Sequence, residues 1–269
     1  MRGTVTESGY TNRIHNIIPM SYYFEKDFQL RYFEMNNFGE ASPTTILTLL
    51  EETAADHCHS IDYSLYDLKK INIGWVLLSG IIVMDRYPIY KENITIRTWL
   101  STYSSIRGFR ENVIYDAAGR VIGRARGLWL FFDIERRRPI HILDEIKERW
   151  SFSEKKCIDH DITSKIAPAA TANSENTKTF PINRYDVDSY DHVNNIRYLY
   201  WLMESMPQDI VDNCYLHSID GRFVAEAQYG DTLISFTEED SGDLSFVHSV
   251  KTESNGKVCA SARTVWKER

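Results

Sequence analysis

The residues of this chain best suited to chemistry lie in one short stretch, between positions 184 and 201. Asp186 and Asp188 precede His192 there, and an aromatic-rich helical segment follows. A nearby carboxylate can orient an imidazole, and an oriented imidazole can take a proton from water. A helix start also offers free backbone N–H groups and a positive dipole end, which suit a developing oxyanion. The stretch is therefore predicted to be an active site.

Each residue of this stretch has a structural interpretation beside the catalytic one. An isolated histidine at a helix start more often caps or packs than reacts, and only its surroundings favour His192 as a catalyst. Asp188 is the preferred partner of the imidazole, whereas the earlier aspartate is interpreted as structural. Asn194 and Asn195 are explained as well by helix capping as by substrate contact. The backbone N–H groups from Val193 onward are the predicted oxyanion donors.

A repeated order of strands and helices is predicted to position this stretch. In the first half, Ser42 is an N-cap and Pro43 a first helical position, and apolar residues at three- and four-residue spacing predict a long helix after them. A corresponding helix is predicted over 194–206. Alternation and turn residues predict strands at 22–30, 75–86, 93–103, 109–115 and 121–133, and again at 180–187, 215–228, 232–238, 245–252 and 258–266.

The two halves also share a motif in constant register. Gly119 and Trp129 correspond to Gly256 and Trp266, each 137 residues later (256 − 119 and 266 − 129). This period is far above the roughly 20–50 residues of solenoid repeats and indicates a duplicated domain. The predicted division is an N-terminal domain over 1–150, a linker over 151–178 and a C-terminal domain over 179–269. The pattern alone indicates class α+β, with helices on one sheet face.

The composition is that of an ordinary globular protein, with 43% hydrophobic and 26% charged residues and a net charge of −7. The acidic balance argues against nucleic acid and membranes as partners. No apolar run reaches the roughly 18 residues of a membrane span, and we expect a cytoplasmic protein. Four irregularly spaced cysteines predict neither disulfides nor a zinc site. The ligand-type residues at 56–59 point in different directions on a helix, so we expect no metal and no cofactor.

The core of the 184–201 stretch, Asp-x-Asp-x-x-x-His-Val-Asn-Asn-x-x-Tyr, resembles the signature of hot-dog-fold thioesterases. Trp75, the strand around Trp99 and the Arg-Arg-Pro segment at 137–139 extend the resemblance over nearly the whole chain. They narrow it to the acyl-acyl-carrier-protein (acyl-ACP) thioesterases of plants and bacteria. The resemblance implies two tandem hot-dog domains, each an antiparallel sheet wrapped around a central helix. It also implies hydrolysis of fatty acyl-ACP to a free fatty acid.

The resemblance carries over to individual residues. In plant members of the family an acidic residue, an asparagine and a histidine form the site, and the matching positions are Asp188, Tyr190 and His192. A tyrosine hydroxyl thus stands where the family has an amide donor. The family's acidic strand matches Glu226 and Ala227, at a place where cysteine often follows the glutamate. Alanine cannot be a nucleophile, so activated water is implied, with either His192 or Glu226 as base. A cross-strand salt bridge is the structural alternative for Glu226.

The first half is predicted to lack catalytic residues and to supply substrate-tunnel and docking surfaces. Its corresponding junction, residues 34–40, places Phe38 opposite His192, so we expect one active site per chain. Arg136, Arg137 and Arg138 end the last strand of this half. Such a run of charge is most often solvated surface. The resemblance implies an alternative, in which the run docks the acidic carrier protein and its phosphopantetheine.

Three other functions are compatible with parts of the sequence. An acyl-CoA thioesterase shares the motif, but such enzymes are usually single hot-dog domains that dimerise. A hot-dog dehydratase would carry a His-Phe-Pro segment, which this chain lacks. A non-catalytic acyl-thioester-binding module would not need Asp188, His192 and Glu226 together. The sequence leaves open the acyl chain length, the choice between ACP and CoA, and a homodimer.

Overall fold

The computed structural model describes residues 23–150, 152–169, 176–189 and 192–269. The first half runs strand, 3₁₀ turn, two helices and four strands: β1 (Phe24–Gln29), the turn Tyr32–Glu34, α1 (Pro43–Ser60), α2 (Leu65–Lys70), β2 (Ile73–Met84), β3 (Asn93–Tyr103), β4 (Arg107–Asp116) and β5 (Val121–Asp133). Two short elements follow it, β6 (Arg138–Pro139) and α3 (Asp144–Arg149). The second half repeats the order: β7 (Thr177–Pro181), the turn Arg184–Asp186, α4 (Asn195–Glu204), α5 (Gln208–Asn213), β8 (Cys214–Phe223), β9 (Thr232–Glu239), β10 (Ser245–Thr252) and β11 (Val258–Glu268).

The strands of the described residues form a single eleven-stranded antiparallel sheet. Its order is β1-β3-β4-β5-β2 in the first half and β8-β11-β10-β9-β7 in the second, and β6 pairs with β5. The halves join where β2 pairs with β8, with Gly80 opposite Gly221. A Cβ on Gly80 would lie 3.2 Å from the carbonyl oxygen of Arg126, so a glycine suits this close approach. The strand order reads the same outward from this pair, which gives the molecule a pseudo-two-fold axis there.

The long helices lie on one face of the sheet, one in each half. Ser42 caps α1 by accepting the N–H of Thr45 at 3.0 Å, and α1 buries Ile46 and Leu49 against the first half of the sheet. The second-half core forms around α4, and Leu47 of α1 packs against that core. Burial of these apolar faces is the main stabilising term of such a layered fold.

The segment after α3 packs on the opposite face of the sheet. Its Ile162 is fully buried against Ile81 and Leu128. Backbone carbonyls of the segment accept hydrogen bonds from the Trp99 indole (2.8 Å) and the Arg126 guanidinium (3.0 Å). Composition predicted these residues as a linker. The structure shows instead that residues 152–169 cover this face of the sheet. The domain limits 1–150, 151–178 and 179–269 stay a prediction.

The predicted fold class, two tandem antiparallel units with a central helix each, is confirmed, but two strand predictions were wrong. The strand predicted over 180–187 ends at Pro181, because Asn183 and Asp186 cap each other (Asn183 N to Asp186 Oδ2, 2.7 Å) and turn the chain. The strand predicted over 215–228 ends at Phe223. Val224 N and Ala225 N both donate to the carbonyl oxygen of one β11 residue (2.8 and 3.2 Å), which ends the ladder. The helix predicted over 194–206 is shorter, 195–204.

Candidate active site

A tight loop before α4 brings Asp188 beside His192. Val187 and Val193 face each other across an isolated bridge, and the N–H of Asp188 donates to the carbonyl oxygen of His192 at 2.8 Å. The backbone N–H of His192 in turn lies 3.3 Å from Asp188 Oδ1. The first half supports the loop, because Lys69 of α2 donates a hydrogen bond to the carbonyl oxygen of Ser189. The backbone of the loop thus fixes the positions of both side chains.

Glu226 lies on the loop after β8, and its side chain approaches His192. Its Oε1 lies 3.4 Å from Nδ1 of His192. The structure thus brings together the three residues predicted as catalytic, although Glu226 lies on a loop rather than on the predicted strand. The side chains of His192 and Glu226 are 22% and 31% exposed, so they are partly screened from solvent yet open to a substrate. An imidazole beside a carboxylate can take a proton from water and be stabilised as a cation.

Glu226 is also held by one basic residue from each half of the chain. Arg137 forms an ion pair with its Oε2, and the ammonium of Lys257 lies 3.4 Å from its carbonyl oxygen. Arg136 is held differently, by its own backbone N–H donating to Asp133 at 2.8 Å. Arg137 and Glu226 are far apart in the sequence, so the sequence does not predict the contact between them. Of the three predicted docking arginines, Arg137 therefore belongs to the wall of the site.

A cleft of about 1550 Å³, counting its open mouth, contains these groups. Both halves line it, with Trp75 and Arg137 from the first half and Asp188, His192 and Glu226 from the second. Two inner cavities of about 810 and 790 Å³, again counting open space at their mouths, lie between the helices and the sheet. The cavity of about 810 Å³ shares Trp75, Asp188 and Asn195 with the cleft. The two cavities share four residues with each other: Glu51, Ala54, Arg110 and Trp129. Their linings indicate a path from the mouth to an interior that is mostly apolar.

The predicted oxyanion donors are only partly available. Asn194 caps α4, because its Oδ1 accepts the N–H of Ile196 at 2.8 Å. Its own N–H donates to the carbonyl oxygen of Asp186 at 2.9 Å, so the expectation that this N–H is free was wrong. Within the described residues, the N–H groups of Val193 and Asn195 have no acceptor, and both residues line the cleft. Tyr190 lies outside the described residues.

Asp186 has a structural role. It pairs with Arg197 of α4 at 3.1 Å and caps the 3₁₀ turn. Ala227 is buried, and its N–H lies 3.3 Å from the hydroxyl of Tyr198. A thiol does line the inner cavity, that of Cys58, but burial raises its pKa, so it stays protonated at neutral pH. Neither position offers a thiolate nucleophile.

The first-half junction has the same backbone pattern as the active-site loop, which corrects the sequence register. Asn36 N donates to the carbonyl oxygen of Glu40 at 2.7 Å, as Asp188 N does to that of His192. Glu40 is therefore the residue opposite His192, and the prediction that Phe38 holds that place was wrong by two positions. The sequence alignment of the two loops was wrong because they share no residue type that would fix their register.

Arg269 contacts the first-half junction. The guanidinium of Arg269 lies 2.6 Å from Glu40 and stacks 3.7 Å from the ring centre of Phe38. An ion pair thus occupies the position that the imidazole holds in the second half.

Neither a metal site nor a spanning helix is found in the described part of the chain. Between residues 23 and 269, leaving out 151, 170–175 and 190–191, no three His, Cys, Asp or Glu side chains are grouped as metal ligands would be. No helix within the same residues is long and apolar enough to cross a bilayer.

The chain matches two sequence profiles of one family. The acyl-ACP thioesterase N-terminal domain matches residues 21–150, and the C-terminal domain of the same family matches residues 169–268. The oleoyl-acyl carrier protein thioesterase 2 of Arabidopsis thaliana, a chloroplastic protein, is 24% identical over 96% of this chain and 80% of its own length.

Two solved structures share the fold. The acyl-ACP thioesterase of Bacteroides thetaiotaomicron has a TM-score of 0.80 at 22% identity, covering 91% of this chain and 98% of its own. The 12:0-ACP thioesterase of Umbellularia californica has a TM-score of 0.82 at 20% identity, covering 93% and 98%. With both profiles matched in order along the chain, this protein belongs to the acyl-ACP thioesterase family.

Proposed function

We propose that this protein hydrolyses the thioester of fatty acyl-ACP to a free fatty acid, with Asp188, His192 and Glu226 as its catalytic residues. The observation that carries the proposal is the 3.4 Å approach of Glu226 to His192 in a cleft that leads to apolar cavities. Family membership supports the same reaction. A bound acyl chain would lie in the cavities, with its thioester beside Asp188 and Asn195, which line both spaces.

The arrangement supports a mechanism through activated water. His192, with its ring beside Glu226 and its backbone N–H beside Asp188, takes a proton from water as the water oxygen adds to the thioester carbon. The N–H groups of Val193 and Asn195 are the proposed donors to the oxyanion. Collapse of the tetrahedral intermediate breaks the C–S bond, and the thiolate of the carrier takes up the proton. The products are a fatty acid and the free thiol.

The reaction is tested by thiol release from acyl-ACP and acyl-CoA substrates of graded chain length. We expect faster release from acyl-ACP, as measured by kcat/KM. Equal or better use of acyl-CoA would favour the acyl-CoA thioesterase alternative. Binding of acyl-ACP without release of thiol would favour a non-catalytic binding module.

We further propose that Arg136 and Arg138 help dock the carrier protein. The enzyme carries a net charge of −7, so an acidic carrier needs a local basic patch. These residues flank Arg137 at the mouth, and Arg136 is 67% exposed. Arg136→Glu with Arg138→Glu is expected to raise KM for acyl-ACP by about 10-fold at low salt and less at high salt. Steady-state kinetics at two ionic strengths measure this.

A short acyl-pantetheine thioester is the control substrate for this variant, because it lacks the carrier protein. Its KM should change little. An equal loss on both substrates would mean that the two arginines support the site rather than the carrier. Arg137→Gln should behave differently and lower kcat on both substrates, because Arg137 holds Glu226.

A cytoplasmic location and a homodimer stay predictions. The two halves already pair through β2 and β8, as two subunits of a dimer would. Sedimentation of the purified protein will give its oligomeric state, and fractionation of the source cell its location.

A further inference from the structure

The first half places one acidic side chain of α1 inside the acyl path. Glu51 lines both inner cavities, and its Oε1 is sealed from solvent with no hydrogen-bond partner. The residue as a whole is only partly covered, because it borders open cavity space. Its neighbour Glu52 is exposed and pairs with Lys26 at 3.1 Å, as an ordinary surface glutamate does. A buried polar atom without a partner needs an explanation, and a ligand in the cavity provides one.

The surroundings of Glu51 keep its carboxyl neutral. Burial, and secondly the negative charge of Asp188, raise its pKa to about 7. Six other charged or titratable groups belong to residues that line the same cavities: Asp188, Arg110, Arg126, Arg222, Tyr198 and Cys58. None of the three arginines forms an ion pair with Glu51. Arg110 bonds to His57 (3.0 Å) and Thr98 (3.1 Å). Arg126 pairs with Glu111 (2.9 Å), and Arg222 pairs with Asp220. Below pH 7 the carboxyl therefore carries a proton and can donate a hydrogen bond.

The pseudo-two-fold axis gives Glu51 an informative counterpart. Glu51 lies nine residues after its helix cap Ser42, and Met203 lies nine residues after its cap Asn194 (51 − 42 and 203 − 194). Met203 lines the pocket at the first-half junction, together with Phe38. Each central helix thus faces the junction of the other half. The glutamate, Glu51, faces the active-site loop that contains His192. The apolar Met203 faces the first-half junction, which has no imidazole.

We propose that Glu51, in its protonated form, is a fourth catalytic residue that donates a hydrogen bond to the carbonyl oxygen of the thioester. The proposal rests on the proposed hydrolysis. The carbonyl would lie where the cleft meets the inner cavity, beside Asp188 and Asn195. When water adds, this oxygen gains negative charge and the hydrogen bond strengthens, while the proton stays on Glu51. Ionisation of Glu51 would remove the donor and place a second negative charge beside Asp188.

The test compares two variants of Glu51 over pH 5–9, a range of about two units either side of the carboxyl pKa. Glu51→Met, which uses the residue of the equivalent helical position, should lower kcat for acyl-ACP by about 10²-fold with little change in KM. Glu51→Gln keeps a neutral donor and should retain activity within about 10-fold. The wild type should lose activity as pH rises through about 7, and Glu51→Gln should lack that loss. Glu52→Gln is the matched control and should keep the wild-type profile.

Two outcomes overturn the proposal: wild-type kcat in Glu51→Met, or the same alkaline loss of activity in Glu51→Gln as in the wild type. Folding is checked by thermal unfolding at pH 8. The raised pKa means that the native state loses stability as pH rises from about 4.5 through 7, so both variants should unfold no earlier than the wild type there. If the wild type hydrolyses no acyl thioester, the proposed function fails; if it does and Glu51→Met does as well, only this inference fails.

Discussion

Replacing His192 with alanine is expected to lower kcat/KM for acyl-ACP by about 10²–10⁴-fold, the usual contribution of one acid–base group. The fold should survive, because the loop is held by backbone hydrogen bonds that alanine retains. The lost side chain is the one that approaches Glu226. The measurement is steady-state thiol release, with circular dichroism and thermal unfolding to show that the variant is folded.

The chain offers a matched control for this substitution. His160 also contacts a carboxylate, Asp220, at 2.9 Å, but it does not line the cleft. His160→Ala removes a histidine–aspartate contact of similar kind and should leave kcat/KM near the wild-type value. A folded His192→Ala variant with near-wild-type activity would remove His192 from the mechanism.

Glu226→Gln is expected to lower kcat by about 10³-fold with a modest change in KM. Glutamine is nearly isosteric and can still accept a hydrogen bond from Arg137, so the loop should keep its position. It cannot carry the negative charge that orients His192 and stabilises its protonated form. Steady-state kinetics separate kcat from KM, and intact-protein mass spectrometry of the working enzyme should find no acyl group on the protein.

Glu204→Gln is the control for this substitution. Glu204 pairs with Lys178 at 3.3 Å at the end of α4, outside the cleft, and its amide should have wild-type kinetics. Full activity of Glu226→Gln would refute the role of Glu226 and leave His192 as base without it. An acyl group trapped on a side chain would instead refute the water mechanism.

Much of the fold could be predicted from the sequence, because its signals are local. The start of α1 follows from Ser42-Pro43, since a cap and a proline act on the residues beside them. β3 and β5 have the predicted bounds, because alternation and turns are visible over about ten residues. The tandem fold itself followed from the resemblance, and its duplication from the spacing of the repeated motif.

The predictions that failed depended on contacts between distant residues. Glu226 was assigned to a strand because nothing near it marks the end of β8, which is decided by bonds from Val224 and Ala225 to β11. Glu51 was not identified at all, since two adjacent glutamates on a helix look like a solvated pair. Only packing of α1 toward the second half places one of them beside Asp188. The contact of Arg137 with Glu226 has no local sign either.

The union of the two halves in one chain also affects how this protein can change through mutation. In a symmetric homodimer every substitution occurs in both subunits, so a residue that improves one pocket alters its copy equally. Fusion of the halves into one chain removes that constraint. Glu51 and Met203 differ at equivalent helical positions, and one junction contains His192 while the other contains the ion pair of Arg269 with Glu40. Selection can therefore act on catalysis in one pocket and on packing in its counterpart independently.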